Sequence, residues 1–426
     1  MALDSEYRRR VIDDELDALM RDLSAIALEG PKAVGKTATA SERAASIHRL
    51  DDPAQRALAK ADPGRLLEAA PPVLIDEWQF VPEVWDRVRR AVDDRKPGQF
   101  LLAGSSSPVK PGTHSGAGRV VTLRMRPLSL AERLAEPPTV SLAELLRGTR
   151  PGIGGQSDLD LEGYTEEILR SGFPGLRGLE GRSLRTQLDG YLQRIVDRDF
   201  PELGHHVRNP ALLRRWMTAY AAATSTTTAL EKVRQAATGR GERPPAHTTV
   251  QAYRDVLERL YILDEVSAWQ PSRNVIAQLA LPAKHQLADP ALAARLVGAN
   301  RDALLKGESP GPAIARDGTL IGALFESLVT LSLRVYAQAA EATVGHLRTR
   351  GGRHEVDLIV ERDDGKVVAF EVKLGGTPRD GDAKHLEWLK RELGRDLLDA
   401  VIITTGPDAY RRKDGIAVVP AALLGP

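Results

Sequence analysis

The chain has 426 residues, of which 42% are hydrophobic and 27% are charged, and its formal net charge at pH 7 is only +1. This is the composition of a globular protein with two or three domains, and the balanced charge gives no global argument for binding nucleic acid or a membrane. The absence of cysteine excludes disulfides and cysteine-ligated zinc sites. A polar amino terminus and the lack of an apolar run of about 18 residues predict a soluble, cytoplasmic protein without a membrane segment.

Residues 30–37 match the P-loop pattern, in which two glycines separated by four residues are followed by Lys and Thr. A short apolar segment precedes the loop and a helix-compatible run follows it, which predicts the order strand, loop, helix. Backbone N–H groups can surround a triphosphate only where the loop carries little side-chain bulk. Lys36 is placed to reach the β- and γ-phosphates, and the Thr37 hydroxyl to ligate Mg²⁺. The predicted ATP-binding residues of the loop are Gly30, Pro31, Lys32, Ala33, Val34, Gly35, Lys36 and Thr37.

Two carboxylates end the apolar run of residues 73–75, some forty residues after the P-loop. A buried parallel strand with a functional site at its carboxyl end has this pattern. We expect Asp76 to hold hydrated Mg²⁺ and Glu77 to polarise the attacking water.

Two further polar residues are candidates for the nucleotide site. Ser105 follows the strand of residues 99–104 and could sense the γ-phosphate or orient the water, although a plain serine-rich turn has the same pattern. Arg119 opens the strand of residues 118–123 and either faces the phosphates or caps the strand. Arg198 lies at the charged end of a helix over residues 183–199; such an end is usually a solvated cap, and the alternative is that Arg198 reaches a neighbouring subunit's nucleotide. The sequence does not choose between Arg119 and Arg198 as an arginine finger.

The middle of the chain is predicted to be helical. Residues 208–270 contain three helical patterns followed by a short strand at residues 261–266, an order that fits a winged helix. Such a module either binds DNA or packs against protein, and the pattern leaves both uses open.

The last third of the chain contains a second set of candidate residues. Glu326 lies on a predicted helix, and an Asp-Gly turn joins two strands into a hairpin that carries Asp357, Glu371 and Lys373. Two carboxylates on paired strands with a lysine two residues on, plus a helical glutamate, form the layout of a divalent-metal nuclease. Asp357 and Glu371 would share the metal, Glu326 would complete its shell through water, and Lys373 would stabilise developing charge or activate water. An ordinary half-exposed hairpin is the alternative, and the pattern does not establish activity.

The order of these pieces resembles AAA-type P-loop ATPases joined to a C-terminal domain of unknown function, number 4143. The resemblance is carried by residues 30–37, 50–52, 74–79, 102–106, 118–120, 197–199, 325–326, 355–357 and 371–373. It implies ATP binding and an AAA-like core. The C-terminal part looks like the PD-(D/E)XK nuclease fold, with Val356 where the name of that fold has proline.

The predicted fold is therefore α/β, with a P-loop NTPase parallel-sheet core over residues 1–135 and a helical lid over 136–205. A winged-helix-like domain follows over residues 206–290, and a restriction-endonuclease-like α/β/α domain over 291–426. We expect an ATPase that uses ATP and Mg²⁺, coupled to a nuclease-like domain that acts on DNA with Mg²⁺ or Mn²⁺. The alternatives are a nucleotide-gated switch whose nuclease-like domain is a non-catalytic scaffold, and an ATP-dependent DNA-binding protein without cleavage. Besides DNA, we expect the chain to bind further copies of itself and form a homo-oligomer.

Overall fold

The computed structural model describes residues 7–94, 96–105, 117–205, 207–239, 243–271, 281–316, 318–349 and 351–426. The chain divides into two compact units, one formed by Met1–Arg126 with Val256–Ile262 and the other by Pro127–Asp255 with Leu263–Pro426. The division into four parts predicted from the sequence stays a prediction.

The first unit is built on a parallel sheet of five strands in the order β2-β3-β4-β1-β5. Its strands are β1 (Ala25–Glu29), β2 (Ser46–Arg49), β3 (Val73–Asp76), β4 (Phe100–Gly104) and β5 (Val121–Arg124). Its helices are α1 (Ile12–Leu19), α2 (Lys36–Ser41), α3 (Pro53–Ala61) and α4 (Glu83–Ala91). All five predicted strands are present, and the parallel P-loop core is confirmed.

The core of this unit forms because the central strands are apolar on both faces. Every residue of β3 and β4 is buried, as expected for strands covered on both sides. Trp78 stacks on Trp85 with ring centroids 4.7 Å apart, which covers the carboxyl end of β3. The sheet therefore holds the turn after β3 firmly beside the end of β4.

The second unit begins with helices. They are α5 (Leu130–Arg133), α6 (Leu142–Leu146), α7 (Leu161–Arg170), α8 (Gly181–Arg194), α9 (Phe200–Glu202), α10 (Pro210–Ala222), α11 (Leu230–Ala236), α12 (His247–Arg259, whose last turn belongs to the first unit), α13 (Pro290–Val297) and α14 (Arg301–Leu305). Asn209 begins α10 by accepting a hydrogen bond from the Leu212 amide, with Pro210 in the first turn.

After the last of the three predicted middle helices, residues 263–266 and 284–287 form two antiparallel bridge pairs, Leu263 with Leu287 and Val266 with Lys284. The winged-helix assignment itself stays a prediction.

A mixed six-stranded sheet forms the C-terminal part of this unit, in the order β11-β12-β10-β9-β8-β7. Its strands are β7 (Thr343–Arg348), β8 (Glu355–Glu361), β9 (Val367–Val372), β10 (Leu397–Thr404), β11 (Tyr410–Arg411) and β12 (Ala417–Pro420). Two short strands, β6 (Val140–Ser141) and β13 (Leu424–Gly425), pair separately. The helices of this part are α15 (Leu320–Ala339) and α16 (Lys384–Leu393). The predicted hairpin is confirmed, because β8 and β9 are antiparallel and the Gly365 amide donates to the Arg362 carbonyl at 2.9 Å.

Helix α15 is the longest apolar helix among the described residues. It has the length and mean hydropathy, 1.5, of a helix that could cross a membrane, yet 72% of that stretch is buried inside the protein. Its thirteen buried residues pack within the domain, and its Thr319 cap accepts a hydrogen bond from the Gly322 amide. The helix is the core element that carries Glu326 toward the hairpin.

Candidate functional site

The P-loop follows the carboxyl end of β1 and turns into α2. Gly30 approaches the neighbouring chain so closely that a Cβ atom there would lie 2.1 Å from the backbone oxygen of Met125. Gly35 has a φ of 105°, a left-handed conformation that favours glycine, and it begins α2. Both glycines of the motif are thus required by the backbone itself.

The Lys36 ammonium lies over the loop. It donates hydrogen bonds to the carbonyl oxygens of Gly30 and Pro31, both at 2.8 Å, and the side chain is only 5% exposed. Burial lowers the pKa of Lys36 to about 8, although the nearby charges of Glu77 and Asp76 act to raise it. A phosphate bound in the loop would compete with the two carbonyls for this ammonium.

Thr37 and Asp76 meet at the carboxyl ends of β1 and β3. The Thr37 hydroxyl donates a hydrogen bond to Asp76 Oδ1 at 2.9 Å. Burial raises the pKa of the Asp76 carboxyl, and the hydrogen bond from Thr37 opposes that shift. A hydroxyl and a carboxylate placed together in this way are oxygen ligands of the kind Mg²⁺ takes, so the residues present fit a nucleotide-bound Mg²⁺.

Glu77 is oriented by two neighbours at the ends of β3 and β4. Ser105 donates a hydrogen bond to Glu77 Oε2 at 3.1 Å, and the Gln79 amide donates to the same oxygen. The Gln79 amide also lies 3.3 Å from the Ser105 hydroxyl, which is almost fully buried. The structure therefore brings the predicted Glu77 and Ser105 together. Ser106 lies outside the described residues.

Sequence reasoning gave no role to Gln79 or Arg10, and both contact this site. The Arg10 guanidinium is 7% exposed and donates to the Val34 carbonyl at 3.1 Å and to the Arg126 carbonyl at 3.0 Å, which braces the loop from outside. No motif contains Arg10. The only feature of the sequence that could have pointed to Arg10 is its position just before the amphipathic helix that precedes the first strand.

The structure corrects the expectation for Arg119. Since β5 is parallel to β1, with Val121 opposite Ile26 and Arg124 opposite Glu29, Arg119 lies at the amino-terminal edge of the sheet, whereas the P-loop follows the carboxyl edge. There its guanidinium pairs with Asp93 at 2.6 Å. Arg119 thus precedes β5, at the edge of the sheet opposite the phosphate site. Arg198 is an exposed residue of the second unit.

The second candidate site brings Glu326 and Asp357 together around a lysine that the sequence analysis did not select. Lys284 Nζ lies 2.8 Å from Glu326 Oε1 and 3.2 Å from Asp357 Oδ1, and the lysine side chain is 1% exposed. Burial acts to lower the pKa of Lys284, but the charges of Glu326 and Asp357 outweigh it, and the pKa lies above its ordinary value. The cation that these two carboxylates face is therefore part of the chain.

Glu371 and Lys373 form a separate pair beside this cluster. Lys373 Nζ donates to Glu371 Oε1 at 2.8 Å, and the Val372 amide between them donates to Asp357 Oδ2 at 2.9 Å. Burial, with the charge of Asp357, raises the pKa of Glu371 to about 8. Burial also acts to raise the pKa of Asp357, but Lys284 and Lys373 lower it below its ordinary value.

The predicted metal set of Glu326, Asp357 and Glu371 therefore needs a correction. The four predicted residues do converge, yet Glu326 and Asp357 are bound to Lys284 and both oxygens of Asp357 are already engaged. In the part of the chain that the structure describes, no group of three His, Asp or Glu side chains is arranged to hold a metal ion. The residues present do not fit a divalent cation as the sequence predicted.

A cleft of about 900 Å³ opens over this cluster. Its lining is mixed in charge and rich in hydroxyl groups. Besides the cluster it includes Ser225, Thr226, Thr227, Thr228, Lys232, Arg316, Arg348 and Lys384. Arg348 is already paired there, donating to Thr227 Oγ1 at 2.9 Å and lying 3.4 Å from Glu355.

Models of known protein families match three ranges of the chain. Residues 23–134 match an AAA domain, residues 161–303 match the domain of unknown function DUF8612, and residues 321–424 match the domain of unknown function DUF4143. The chain thus carries an AAA-type P-loop ATPase domain near its amino end and a DUF4143 domain at its carboxyl end, as the resemblance implied. The DUF8612 match had no counterpart in the sequence analysis.

Two curated relatives, both described as uncharacterized proteins, come from Mycobacterium bovis and Mycobacterium tuberculosis. Each is 25% identical over 402 residues, which cover 93% of this chain and 80% of the relative. Among solved structures, a Walker-type ATPase of Pyrococcus abyssi matches 69% of this chain and 97% of its own, with 15% identity and a TM-score of 0.38.

Proposed function

We propose that this chain is a cytoplasmic ATPase that binds ATP with Mg²⁺ at residues 30–37 and hydrolyses it with Glu77. The hydrogen bond of 2.9 Å from Thr37 to Asp76 carries this proposal, because it joins the hydroxyl of the loop to the acid of β3 at the edge where the phosphates would lie. The AAA-domain match over residues 23–134 supports it.

Each residue has a distinct role in this proposal. The backbone of the loop binds the phosphates, and Lys36 exchanges its two carbonyl contacts for phosphate oxygens. Thr37 and Asp76 hold Mg²⁺, which when bound neutralises charge on the phosphates. Glu77, held by Ser105 and Gln79, orients and polarises the attacking water.

The test separates binding from turnover. We expect Lys36→Ala to lose ATP binding, measured with a fluorescent nucleotide. Glu77→Gln should keep binding and lose turnover by about 10²-fold or more, the usual contribution of a positioned base. Lys60→Ala and Glu83→Gln alter exposed residues of the same unit and should behave like the wild type. Equal turnover in Glu77→Gln and the wild type would contradict the assignment of Glu77.

For the C-terminal domain, we propose that nucleotide state gates a nuclease-like scaffold that binds a partner, with DNA as the expected partner. The observation in favour of a scaffold is that Lys284 already forms ion pairs with both Glu326 and Asp357. Filter binding of duplex DNA with and without ATP tests it, and the slope of affinity against salt would report the number of phosphates contacted.

DNA cleavage is the rival candidate, and since Glu326 and Asp357 are bound to Lys284 it would need a metal held through Glu371. One observation favours it. Glu371 Oε2 is buried and has no hydrogen-bond partner among the described residues, while Lys373 is paired with the other oxygen of the same carboxylate. The test is cleavage of single-stranded, duplex and branched DNA with Mg²⁺ or Mn²⁺, with and without ATP. Cleavage that is lost in Glu371→Gln would establish a nuclease, and its dependence on Lys36 would show whether ATP drives it.

Assembly into a homo-oligomer remains part of the proposal through Arg198. Its exposure leaves it available to a second copy, as an arginine finger requires. Turnover per subunit should then rise with protein concentration in the wild type, and Arg198→Ala should remove that rise. A rate per subunit that is independent of concentration would remove the argument for Arg198.

A further inference from the structure

We propose that Lys284 is a built-in cation that takes the place of a divalent metal in the nuclease-like site and closes its carboxylate cluster to Mg²⁺ and Mn²⁺. This inference goes beyond the ATPase proposal and does not rest on it. Of the three metal ligands expected from the sequence, Glu326 and Asp357 contact Lys284.

The ammonium of Lys284 uses its full hydrogen-bonding capacity inside the cluster. Its three N–H groups face Glu326 Oε1 at 2.8 Å, Asp357 Oδ1 at 3.2 Å and the Asp357 carbonyl at 3.4 Å. A fourth oxygen, Glu355 Oε1, lies 3.9 Å away. The buried ammonium is therefore hydrogen-bonded to two acidic side chains and has a third close by, so its own charge is compensated.

The backbone holds this lysine in place. Lys284 and Val266 exchange backbone hydrogen bonds at 2.8 and 3.0 Å, and the preceding turn is tied by His346, whose ring contacts the Pro282 carbonyl at 3.1 Å. Only 1% of the Lys284 side chain is exposed, although the cleft described above opens beside it. Moving it aside to admit an ion would break its hydrogen bonds to Glu326 and Asp357.

Most of the remaining oxygens of Asp357 and Glu371 are occupied as well. Asp357 Oδ2 accepts from the Val372 amide and Glu371 Oε1 accepts from Lys373. Glu371 Oε2 is the buried carboxylate oxygen of the cluster that lacks a partner among the residues described. A hard divalent ion takes about six oxygen ligands at close range, and it would sit there with two ammonium groups nearby.

The domain therefore keeps the layout of a nuclease, but Glu326 and Asp357 bind the side chain of Lys284 instead of a metal ion. The ion cluster joins α15, β8 and the segment around Lys284 into one core. Whatever binds in the cleft above would then do so without a metal ion.

The experiment measures Mn²⁺ binding to the nucleotide-free full-length protein by electron paramagnetic resonance. The wild type and Asp357→Asn should bind the same number of ions, because Asp357 holds none. Lys284→Met should gain one ion per chain, and the double variant Lys284→Met with Asp357→Asn should lose it again. Lys390→Met, which alters another partly buried lysine of the same unit, bonded to the Asp414 carbonyl at 3.0 Å, should gain no ion.

Thermal unfolding gives a second readout. Lys284→Met leaves buried carboxylates without their partner and should unfold at lower temperature. Mn²⁺ at 100 times its dissociation constant should raise that temperature by roughly 5 °C or more in this variant and leave the wild type unchanged. If Lys284→Met does not fold, Lys284→Gln takes its place, and the comparison of wild type with Asp357→Asn still decides the question. An ion bound by the wild type and absent from Asp357→Asn would overturn the proposal, as would a folded Lys284 variant that gains none.

Discussion

The phenolic hydroxyl of Tyr261 donates a hydrogen bond to a carboxylate oxygen of Glu29, the last residue of the strand that leads into the P-loop. The Arg124 guanidinium lies 4.6 Å from the centre of the Tyr261 ring, and Arg124 is the partner of Glu29 in the adjacent strand. One tyrosine thus contacts the carboxyl ends of both β1 and β5. The nucleotide-binding edge of the sheet is stabilised by a residue more than two hundred positions away.

Removal of that hydroxyl should loosen this edge. We expect Tyr261→Phe to lower local stability at β1 and β5 by about 1.5–3 kcal/mol, the usual value of a hydrogen bond to a charged group. Amide hydrogen exchange of the two strands measures this for the first unit alone. Tyr410→Phe, at an exposed tyrosine, is the matched control and should leave the exchange of both strands unchanged. Unaltered protection of β1 and β5 in Tyr261→Phe would show that the contact is dispensable.

The pKa of Lys36 predicts how nucleotide affinity depends on pH. In the free protein burial lowers this pKa to about 8, and bound phosphate should raise it again. Below pH 8 the ammonium is already formed, so binding takes up little proton. Above pH 8 the phosphate must restore the lost proton, and the dissociation constant should rise by up to about tenfold per pH unit. Calorimetric titration at pH 7 and 9 in buffers of different ionisation enthalpy counts the protons, and equal uptake at both pH values would refute the prediction.

Ser105 should act on turnover rather than on binding. It supplies one of the two hydrogen bonds to Glu77 Oε2, and Gln79 supplies the other. Ser105→Ala removes one of these donors and should lower kcat about tenfold with KM unchanged. This corresponds to roughly 1.4 kcal/mol of transition-state stabilisation. Ser183→Ala, at an exposed serine of α8, is the control. An increase in KM with kcat retained would instead assign Ser105 to contact with the γ-phosphate.

Gly30 is the position where the loop tolerates least change. A Cβ atom there would lie 2.1 Å from the Met125 oxygen, so Gly30→Ala must displace β1 or the segment after β5. We expect Gly30→Ala to lose ATP binding and to unfold the first unit at lower temperature. At Gly178 a Cβ atom would meet nothing within 4 Å, so Gly178→Ala should retain both properties. Wild-type affinity in Gly30→Ala would show that the loop can shift without cost.

The nucleotide site was predictable because its information is local in sequence. The P-loop motif fixes Lys36 and Thr37, and parallel strands bring their carboxyl ends to one edge, which placed Asp76 and Glu77 beside them. The same rule explains the failure at Arg119. That residue precedes its strand, and a strand's beginning lies at the opposite edge.

Lys284 could not be predicted in the same way. It is separated from Glu326 by 42 residues and from Asp357 by 73, and no motif surrounds it. A lysine in an unremarkable segment looks like a solvated surface charge until the fold buries it. Only the pairing of residues 284–287 with residues 263–266 carries it into the cluster.

The discontinuity of the first unit limits how the protein can be divided. Its chain leaves after Arg126 and returns for the seven residues Val256–Ile262, so the segment that contains Tyr261 is encoded far from the rest of the ATPase sheet. A fragment cut after Arg126 would keep every nucleotide-binding motif and still lack a piece of its own fold. A single contiguous stretch of the gene therefore does not encode the whole ATPase unit. We expect the two units to be inherited together, because recombination could not transfer the first one without the segment Val256–Ile262.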